Sequence, residues 1–202
     1  MKRIAWVATM MLLCIVNVCA EQSAVPSSAA SGKSLNGSWK AGKKLQAMID
    51  EVIDDKDVQL EVILAFEGKN SLTIQMPIKA NTEGLSMTVD VRVPGTYSQK
   101  GEKVNAKFDL TNTQMEVTDF ESDDPDIMAL TKTDEGKKAF LTLINSMMKE
   151  QLSDKADSLA DLAHAFENFT IKSQTDSQLT LAMSGDDEEE GAEVTFDRMQ
   201  QK

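Results

Sequence analysis

Apolar and polar residues alternate through the middle of this chain, and that alternation limits the possible folds more than any other feature. Stretches with a period of two residues begin at Val58, Leu72, Leu85 and Val104, and short turn sequences such as residues 67–70 separate them. Because successive side chains of a β-strand point to opposite faces, each stretch has one apolar face and one polar face. The pattern predicts an antiparallel meander that buries one face and exposes the other to water.

The apolar positions of these strands define the predicted interior, and they are the candidate contacts for a ligand held inside the fold. They are Leu60, Val62, Leu64, Phe66, Leu72, Ile74, Met76, Met87, Val89, Val91 and Phe108. Methionine adapts to varied apolar shapes, so Met76 and Met87 are consistent with a pliable cavity. Methionine also serves as ordinary core filler, and that interpretation stays open.

Helical spacing of apolar residues appears in two places. The first predicts one short amphipathic helix at about 43–54, from Leu45, Met48, Ile49, Val52 and Ile53. The second predicts a helical pair at about 134–166, with stripes of Phe140, Leu143, Ile144, Met147 and Met148 and then Leu159, Leu162, Ala163 and Phe166. The whole order is one strand, a helix, about six strands, the helical pair and three strands. It predicts a mainly β protein with one folded domain.

The first twenty residues have the form of a secretory signal peptide. Residues 1–3 are a basic start, an apolar run extends from Ile4 to Val18, and Ala20 is the small residue that signal peptidase prefers. The apolar run is shorter than the roughly 20 residues that a transmembrane helix requires. We therefore expect cleavage after Ala20 and export to the periplasm or the cell exterior.

Cleavage there divides the chain into a leader at 1–20, a low-complexity segment at 21–34 and a folded domain at 35–202. The 21–34 segment is too poor in apolar residues to fold, so we expect it to be disordered. Cleavage also removes both cysteines, Cys14 and Cys19, so disulfides cannot stabilise the domain. The domain must be stabilised by burial of apolar surface alone.

A lipoprotein is the alternative interpretation of the leader, with Cys19 acylated and the chain tethered to a membrane. Val18 stands before that cysteine, where this processing requires Gly, Ala or Ser. Contact with a membrane is expected only if Cys19 carries the lipid.

The charge of the exported chain argues against nucleic acid as a partner. Loss of Lys2 and Arg3 with the leader leaves 19 of the 21 basic residues against all 33 acidic ones, a formal net charge of −14. Such a surface repels phosphate backbones and anionic lipid headgroups. We expect no nucleic-acid binding.

Three motifs together resemble the lipocalin-like (calycin) barrels of small secreted bacterial proteins. They are Leu35-Asn36-Gly37-Ser38-Trp39 at the start, Gly95-Thr96-Tyr97 followed by residues 100–104 in the middle, and the strands at 169–171, 179–181 and 194–198 at the end. The resemblance implies a single antiparallel up-and-down β-barrel, closed where Arg198 packs over Trp39. It also implies an interior that can hold a small apolar molecule. The acidic central motif of classical lipocalins is absent, and the helical pair is a long insertion.

The sequence offers little support for catalysis or for a metal site. His164 is the single histidine, and the exported chain has no cysteine, so nucleophile–histidine and zinc chemistry lack their usual groups. Asp161 is three residues from His164, but two ligands on a solvated helix face do not hold a metal ion. The acidic run at 186–191 lacks the ligand spacing of a calcium loop, so we interpret it as a solvated hairpin loop. We expect no cofactor, no metal and no enzyme activity.

The sequence leaves two function hypotheses. The first is non-catalytic binding of a small apolar or amphipathic molecule in the barrel, with access past the helices near Met147 and Met148. The alternative is a structural or interaction module with a filled barrel, whose helical insertion contacts a partner protein or a second copy. Cavity volume separates them, because ligand pockets occupy about 300–1,000 Å³.

Overall fold

The computed structural model of the protein describes residues 34–53, 57–82, 84–153, 163–183 and 192–200. The predicted leader, residues 21–33 of the low-complexity segment, the acidic run, and the predicted stripe residues Leu159 and Leu162 lie outside these ranges. The same is true of Asp161, the residue weighed as a partner of His164.

The described part of the chain contains ten strands and three α-helices in the predicted order. The strands are β1 (Gly37–Ala41), β2 (Val58–Leu60), β3 (Ile63–Glu67), β4 (Ser71–Thr82), β5 (Leu85–Lys100), β6 (Lys103–Phe108), β7 (Gln114–Ser122), β8 (Asn168–Gln174), β9 (Gln178–Met183) and β10 (Glu193–Arg198). The helices are α1 (Lys43–Ile53), α2 (Pro125–Leu130) and α3 (Asp134–Ser153), with a 3-10 helix at Leu110–Asn112 and helical residues at 163–165. The mainly β prediction is confirmed, and α2 is an addition to it.

Eight of these strands close into an antiparallel barrel. Their hydrogen-bonded order is β1, β3, β4, β5, β6, β8, β9 and β10, and β10 pairs back with β1. In the closing register Trp39 lies opposite Leu64 on one side and Arg198 on the other. Closure leaves these strands without a free edge. We call the end of the barrel where β1 begins the base, and the opposite end the mouth.

The long β4–β5 hairpin extends past the mouth. β2 pairs with the end of β4, where Val58 lies opposite Ala80, and β7 pairs with the first half of β5, where Val89 lies opposite Val117. The four strands β2, β4, β5 and β7 therefore form a sheet that continues one wall of the barrel. Their apolar residues remain on the same face, because the side-chain period of a strand does not change along the hairpin.

Helix α3 packs against β7. The rings of Phe120 and Phe140 lie 4.9 Å apart between centroids. The side-chain amide of Asn145 accepts a hydrogen bond from the Val117 N–H at 2.6 Å and donates one to the Val117 carbonyl at 3.3 Å. Asn145 thereby satisfies backbone groups on the outer edge of β7, where an unpaired strand edge would otherwise need a partner.

Local sequence explains several boundaries. Gly68 and Gly101 have φ values of +62° and +64° in the β3–β4 and β5–β6 turns, a conformation that favours glycine. Asp124 caps α2 by accepting from the N–H groups of Asp126 and Ile127, and Pro125 occupies the first helical position. In the described helices, no segment has both the length and the apolar character needed to cross a membrane.

Candidate functional site

All eleven interior residues predicted from the alternation are buried in one apolar cluster. Their exposed fractions range from 0% for Leu64, Leu72 and Ile74 to 9% for Phe108. The neighbouring positions Ile63 and Ala65 are also buried but do not belong to this cluster. Alternation therefore assigned the interior face of these strands correctly, including at β3, where both faces are buried.

Aromatic side chains fill the part of the interior nearest the base. The ring of Phe66 lies 5.1 Å from the ring of Tyr97 and 6.5 Å from that of Phe169, both edge to face. Trp39 is completely buried in the same cluster. Rings in edge-to-face contact hold defined orientations, so this half of the barrel is a packed core.

The segment that precedes β1 closes the base. The indole Nε1 of Trp39 donates to the carbonyl of Leu35 at 2.7 Å, and Leu35 is only 1% exposed. The Arg198 guanidinium carbon lies 5.2 Å from the centroid of the Trp39 ring, and its Nη2 donates to the Asn36 carbonyl at 2.9 Å. Arg198 thus connects the last strand to the opening segment, in the contact that the paired motifs predict.

Flexible and aliphatic side chains line the half of the interior nearest the mouth. The described side chains include four buried methionines, Met76, Met87, Met115 and Met183, each at most 6% exposed. Helical residues cover this half. They are Leu45 and Ile49 of α1, Ile144 of α3, and Ala163 and Phe166 of the helical turn before β8. The ring of Phe166 packs on that of Phe196 at 6.5 Å.

The interior of the described barrel carries no charge. Among the described residues, none that is polar or charged is buried, apart from the amphipathic Tyr97 in the core. Burial raises the pKa of Tyr97 above its ordinary value of 10.0, so its phenol is neutral at physiological pH. Such an interior favours apolar groups and strongly disfavours an unpaired charge.

Helix α3 buries only part of its predicted stripe. Ile144 is 6% exposed, whereas Leu143 is 57% exposed and Met147 is 40% exposed. Within the predicted stripe, Ile144 therefore joins the core, whereas Leu143 and Met147 face solvent. The side chain of Met148 lies outside the described residues.

His164 lies on the surface. Its Nδ1 is 2.9 Å from a Glu167 carboxylate oxygen, and its side chain is 70% exposed. Within the described ranges, no group of three or more histidine, cysteine or carboxylate side chains could hold a metal ion.

A shallow groove of about 370 Å³ lies on the outside of the barrel, between α1 and the neighbouring strands. Its lining includes Lys40, Lys43, Gln46, Asp50 and Asp197, and none of the eleven interior residues. The groove is open to solvent and carries charged side chains, so it is distinct from the uncharged interior.

Sequence reasoning missed the interior contribution of β7. Met115, Val117 and Phe120 of this strand are all buried in the core. Met115 and Val117 keep the period of two, but a register shift between Thr88 and Val89 of β5 moves Phe120 out of step. A bulge of this kind hides a strand from a search for strict alternation.

Comparison of the chain with protein-family models, curated proteins and solved structures finds no match. Inference about the function therefore depends on the geometry of the barrel.

Proposed function

We propose that the protein binds a small apolar or amphipathic molecule in the mouth half of its barrel, without catalysing a reaction. The observation that supports this most directly is the difference between the two halves of one apolar interior. Near the base, the rings of Phe66, Tyr97 and Phe169 interlock edge to face. Towards the mouth, the buried methionines Met76, Met87 and Met115 lie among aliphatic side chains and fewer rings, under helical covers. Methionine side chains rearrange at low cost, so the mouth half is where a guest molecule displaces protein atoms most easily.

The energetics favour an apolar guest. Each methylene group that moves from water into such an interior contributes about 0.8 kcal/mol. A charged group would lose its hydration without gaining a partner, because the described interior offers no ion pair. An amphipathic ligand would therefore place its apolar part inside and its polar head at the mouth.

The lipocalin-like character of the barrel belongs to the same proposal. The opening motif lies in β1, its tryptophan is at the base, and Arg198 of the last strand covers that ring. Barrels of this kind use a closed base and an accessible mouth. Export to the periplasm or cell exterior, proposed from the leader, would place such a carrier where apolar molecules need a soluble binding partner.

A fluorescent apolar probe tests the proposal. Val89 is 2% exposed on the interior face of β5, so Val89→Trp fills the mouth half and should abolish probe binding. Arg92→Trp places the same side chain on the exposed face of the same strand and should leave binding unchanged. Circular dichroism of both variants checks that the barrel remains folded.

Equal probe binding by the Val89 and Arg92 variants would contradict the barrel site. If Val89→Trp fails to fold, Met76→Phe provides a second test, because it also adds volume within the mouth half. Native mass spectrometry of protein from its own host should detect a copurified apolar molecule that the Val89 variant lacks.

A second candidate function is a protein-interaction module that uses the helical insertion. The observation that favours it is the exposure of large apolar side chains on α2 and α3. Met128, Leu130, Leu143 and Met147 are between 40% and 63% exposed. Large exposed apolar side chains that gather on one surface of a folded domain often mark an interaction site.

A further inference from the structure

The four exposed apolar residues of the helical insertion form a feature that we call the α2–α3 patch. It consists of Met128 and Leu130 of α2 and Leu143 and Met147 of α3. These residues do not contribute to the barrel core, whereas Ile127 and Phe140 of the same helices pack against it. The insertion is thus anchored by one set of apolar residues and exposes another.

Helix geometry places the α3 part of the patch on the side where α2 ends. A β-carbon at Gly136 would collide with the Leu130 carbonyl, so the end of α2 lies directly against this position. Leu143 and Met147 follow Gly136 by seven and eleven residues, which is close to two and three full turns of 3.6 residues. The same side of α3 therefore carries the α2 contact at one end and the exposed Leu143 and Met147 further along.

Acidic side chains dominate the stretch of chain that runs through β7 and α2 to the start of α3. From residue 116 to residue 138 the chain has eight carboxylates and three lysines. The carboxylates, all on exposed residues, are Glu116, Asp119, Glu121, Asp123, Asp124, Asp126, Asp134 and Glu135. Lys137 pairs with Asp119 at 2.9 Å, and Asp124 caps α2, so most of the negative charge in this stretch is in excess.

We propose that the α2–α3 patch docks a cationic amphipathic helix of a partner protein. This inference deepens the second candidate function and rests on it. An amphipathic helix offers apolar residues at helical spacing that match Leu143 and Met147, and methionine accommodates varied apolar partners. Lysine or arginine on the flanks of such a helix would complement the acidic surround and speed encounter.

The charge distribution selects this partner over two others. A second copy would bring the same acidic surround against itself, and like charges across an interface are costly. An anionic membrane surface would be repelled for the same reason, since membrane binding by helices relies on basic residues. The partner that satisfies both the apolar and the charged parts of the surface is basic and amphipathic.

Binding of designed peptides to the full protein tests the partner class. The probes are an amphipathic helical peptide of leucine and lysine, the same peptide with glutamate for lysine, and a scrambled lysine peptide of identical composition. Fluorescence anisotropy should show the ordered lysine peptide binding at least tenfold more tightly than either control, with affinity that falls as salt rises. Equal binding of the lysine and glutamate peptides would overturn the charge argument while leaving an apolar interaction surface in place.

Variants of α3 test the location. Leu143→Ser combined with Met147→Ser should weaken binding of the ordered lysine peptide at least tenfold. Thr142→Ala changes an exposed residue about a third of a turn around α3 from the patch, so it is the matched control and should leave binding unchanged. The substituted positions are exposed, so the changes should not affect the fold. The thermal midpoints of the unsubstituted protein and the two variants should therefore coincide, and a lowered midpoint would reveal misfolding.

Three further results would overturn the proposal. Unchanged binding by the double variant would place the peptide elsewhere on the acidic surface, and the absence of binding by all peptides would remove the interaction function as well. Sedimentation equilibrium is the remaining check. If the unsubstituted protein is a dimer and the double variant Leu143→Ser with Met147→Ser is a monomer, the patch binds a second copy instead of a partner helix. Val89→Trp should leave peptide binding intact, which separates this site from the barrel interior.

Discussion

The base and the mouth of the barrel are closed by different chemistry. At the base, rings of Phe66, Tyr97 and Phe169 interlock, and hydrogen bonds from Trp39 and Arg198 secure the opening segment. At the mouth, methionine and aliphatic side chains lie under helices that contribute a few apolar residues each. The helical cover at the mouth also has directional contacts, such as the hydrogen bonds between Asn145 and Val117, but the side chains beneath it are mainly flexible.

This difference teaches where the fold can change shape. Hydrogen bonds and edge-to-face rings lose energy quickly when geometry shifts, whereas apolar contacts between flexible chains tolerate displacement. We expect the base to provide stability and the mouth to provide adaptability. Four substitutions test this comparison, and they are taken from the largest expected effect to the smallest.

Trp39→Ala is expected to lower the free energy of unfolding by about 3–5 kcal/mol. Trp39 is completely buried, and the change also leaves the Leu35 carbonyl without its indole donor. Urea unfolding followed by circular dichroism measures the loss. Met147→Ala, at a 40% exposed position, should change stability by less than about 0.5 kcal/mol. A similar loss of stability in Trp39→Ala and Met147→Ala would contradict the interpretation of the base as a packed core.

Met76→Leu is expected to cost less than about 1.5 kcal/mol, because the two side chains have nearly the same volume. Phe66→Leu should cost more, since it removes ring contacts with Tyr97 and Phe169 and leaves a cavity. Chemical denaturation of the two variants compares mouth and base directly. A greater loss at Met76 than at Phe66 would reverse the assignment of rigid and adaptable ends.

Arg198→Ala is expected to cost about 0.5–1 kcal/mol, the range for a cation over an indole ring at an exposed site. The change removes the contact with Trp39 and the hydrogen bond to the Asn36 carbonyl. Arg92→Ala, an exposed arginine of β5, is the control. Shifts in the thermal midpoint measure both. If Arg198→Ala and Arg92→Ala lower the thermal midpoint equally, Arg198 makes no specific contribution to closure of the base.

Asp119→Asn is expected to have the smallest effect at neutral pH and to change how stability depends on acid. The hydrogen bond from Lys137 lowers the pKa of Asp119 below its ordinary value of 3.8, and the same contact raises the pKa of Lys137 above 10.5. For Asp119 the stabilisation is present above pH 3.8 and disappears as the pH falls through the lowered pKa. For Lys137 it is present below pH 10.5 and disappears as the pH rises through the raised pKa.

Urea midpoints measured from about pH 6 to about pH 2 test this ion pair, which joins β7 to α3 near the mouth. The unsubstituted protein should lose more stability across that range than Asp119→Asn does. Glu116→Gln, an exposed carboxylate of the same strand, serves as the control. Identical acid profiles for Asp119→Asn and the unsubstituted protein would show that the pair does not stabilise the helical cover.

Much of the barrel could be predicted from short-range patterns. The period of two identified the interior residues from Leu60 to Phe108, and the opening and closing motifs indicated the contact between Trp39 and Arg198. The first prediction depends on a property that a strand carries by itself, which is the face that each side chain occupies. The second followed from the resemblance of the opening and closing motifs to those of lipocalin-like barrels.

The candidate site was harder to predict, because its parts depend on which surfaces meet. Helical spacing showed that Phe140, Leu143, Ile144 and Met147 of α3 share one broad face. It could not show that β7 would cover only part of that face and leave Leu143 and Met147 exposed. Likewise, no local pattern indicated that the side chain of Asn145 would form hydrogen bonds with the backbone at the outer edge of β7.

The sequence by itself determined the strand pattern, the short helix α1 and the apolar character of the interior, since each follows from the order of neighbouring residues. Only the tertiary structure decided that β4 and β5 extend past the barrel, that β7 joins them through a bulge, and that the rings of Phe66, Tyr97 and Phe169 meet near the base. Those features arise from register between strands far apart in the chain. Register is set by the packing of the whole core, which no single segment encodes.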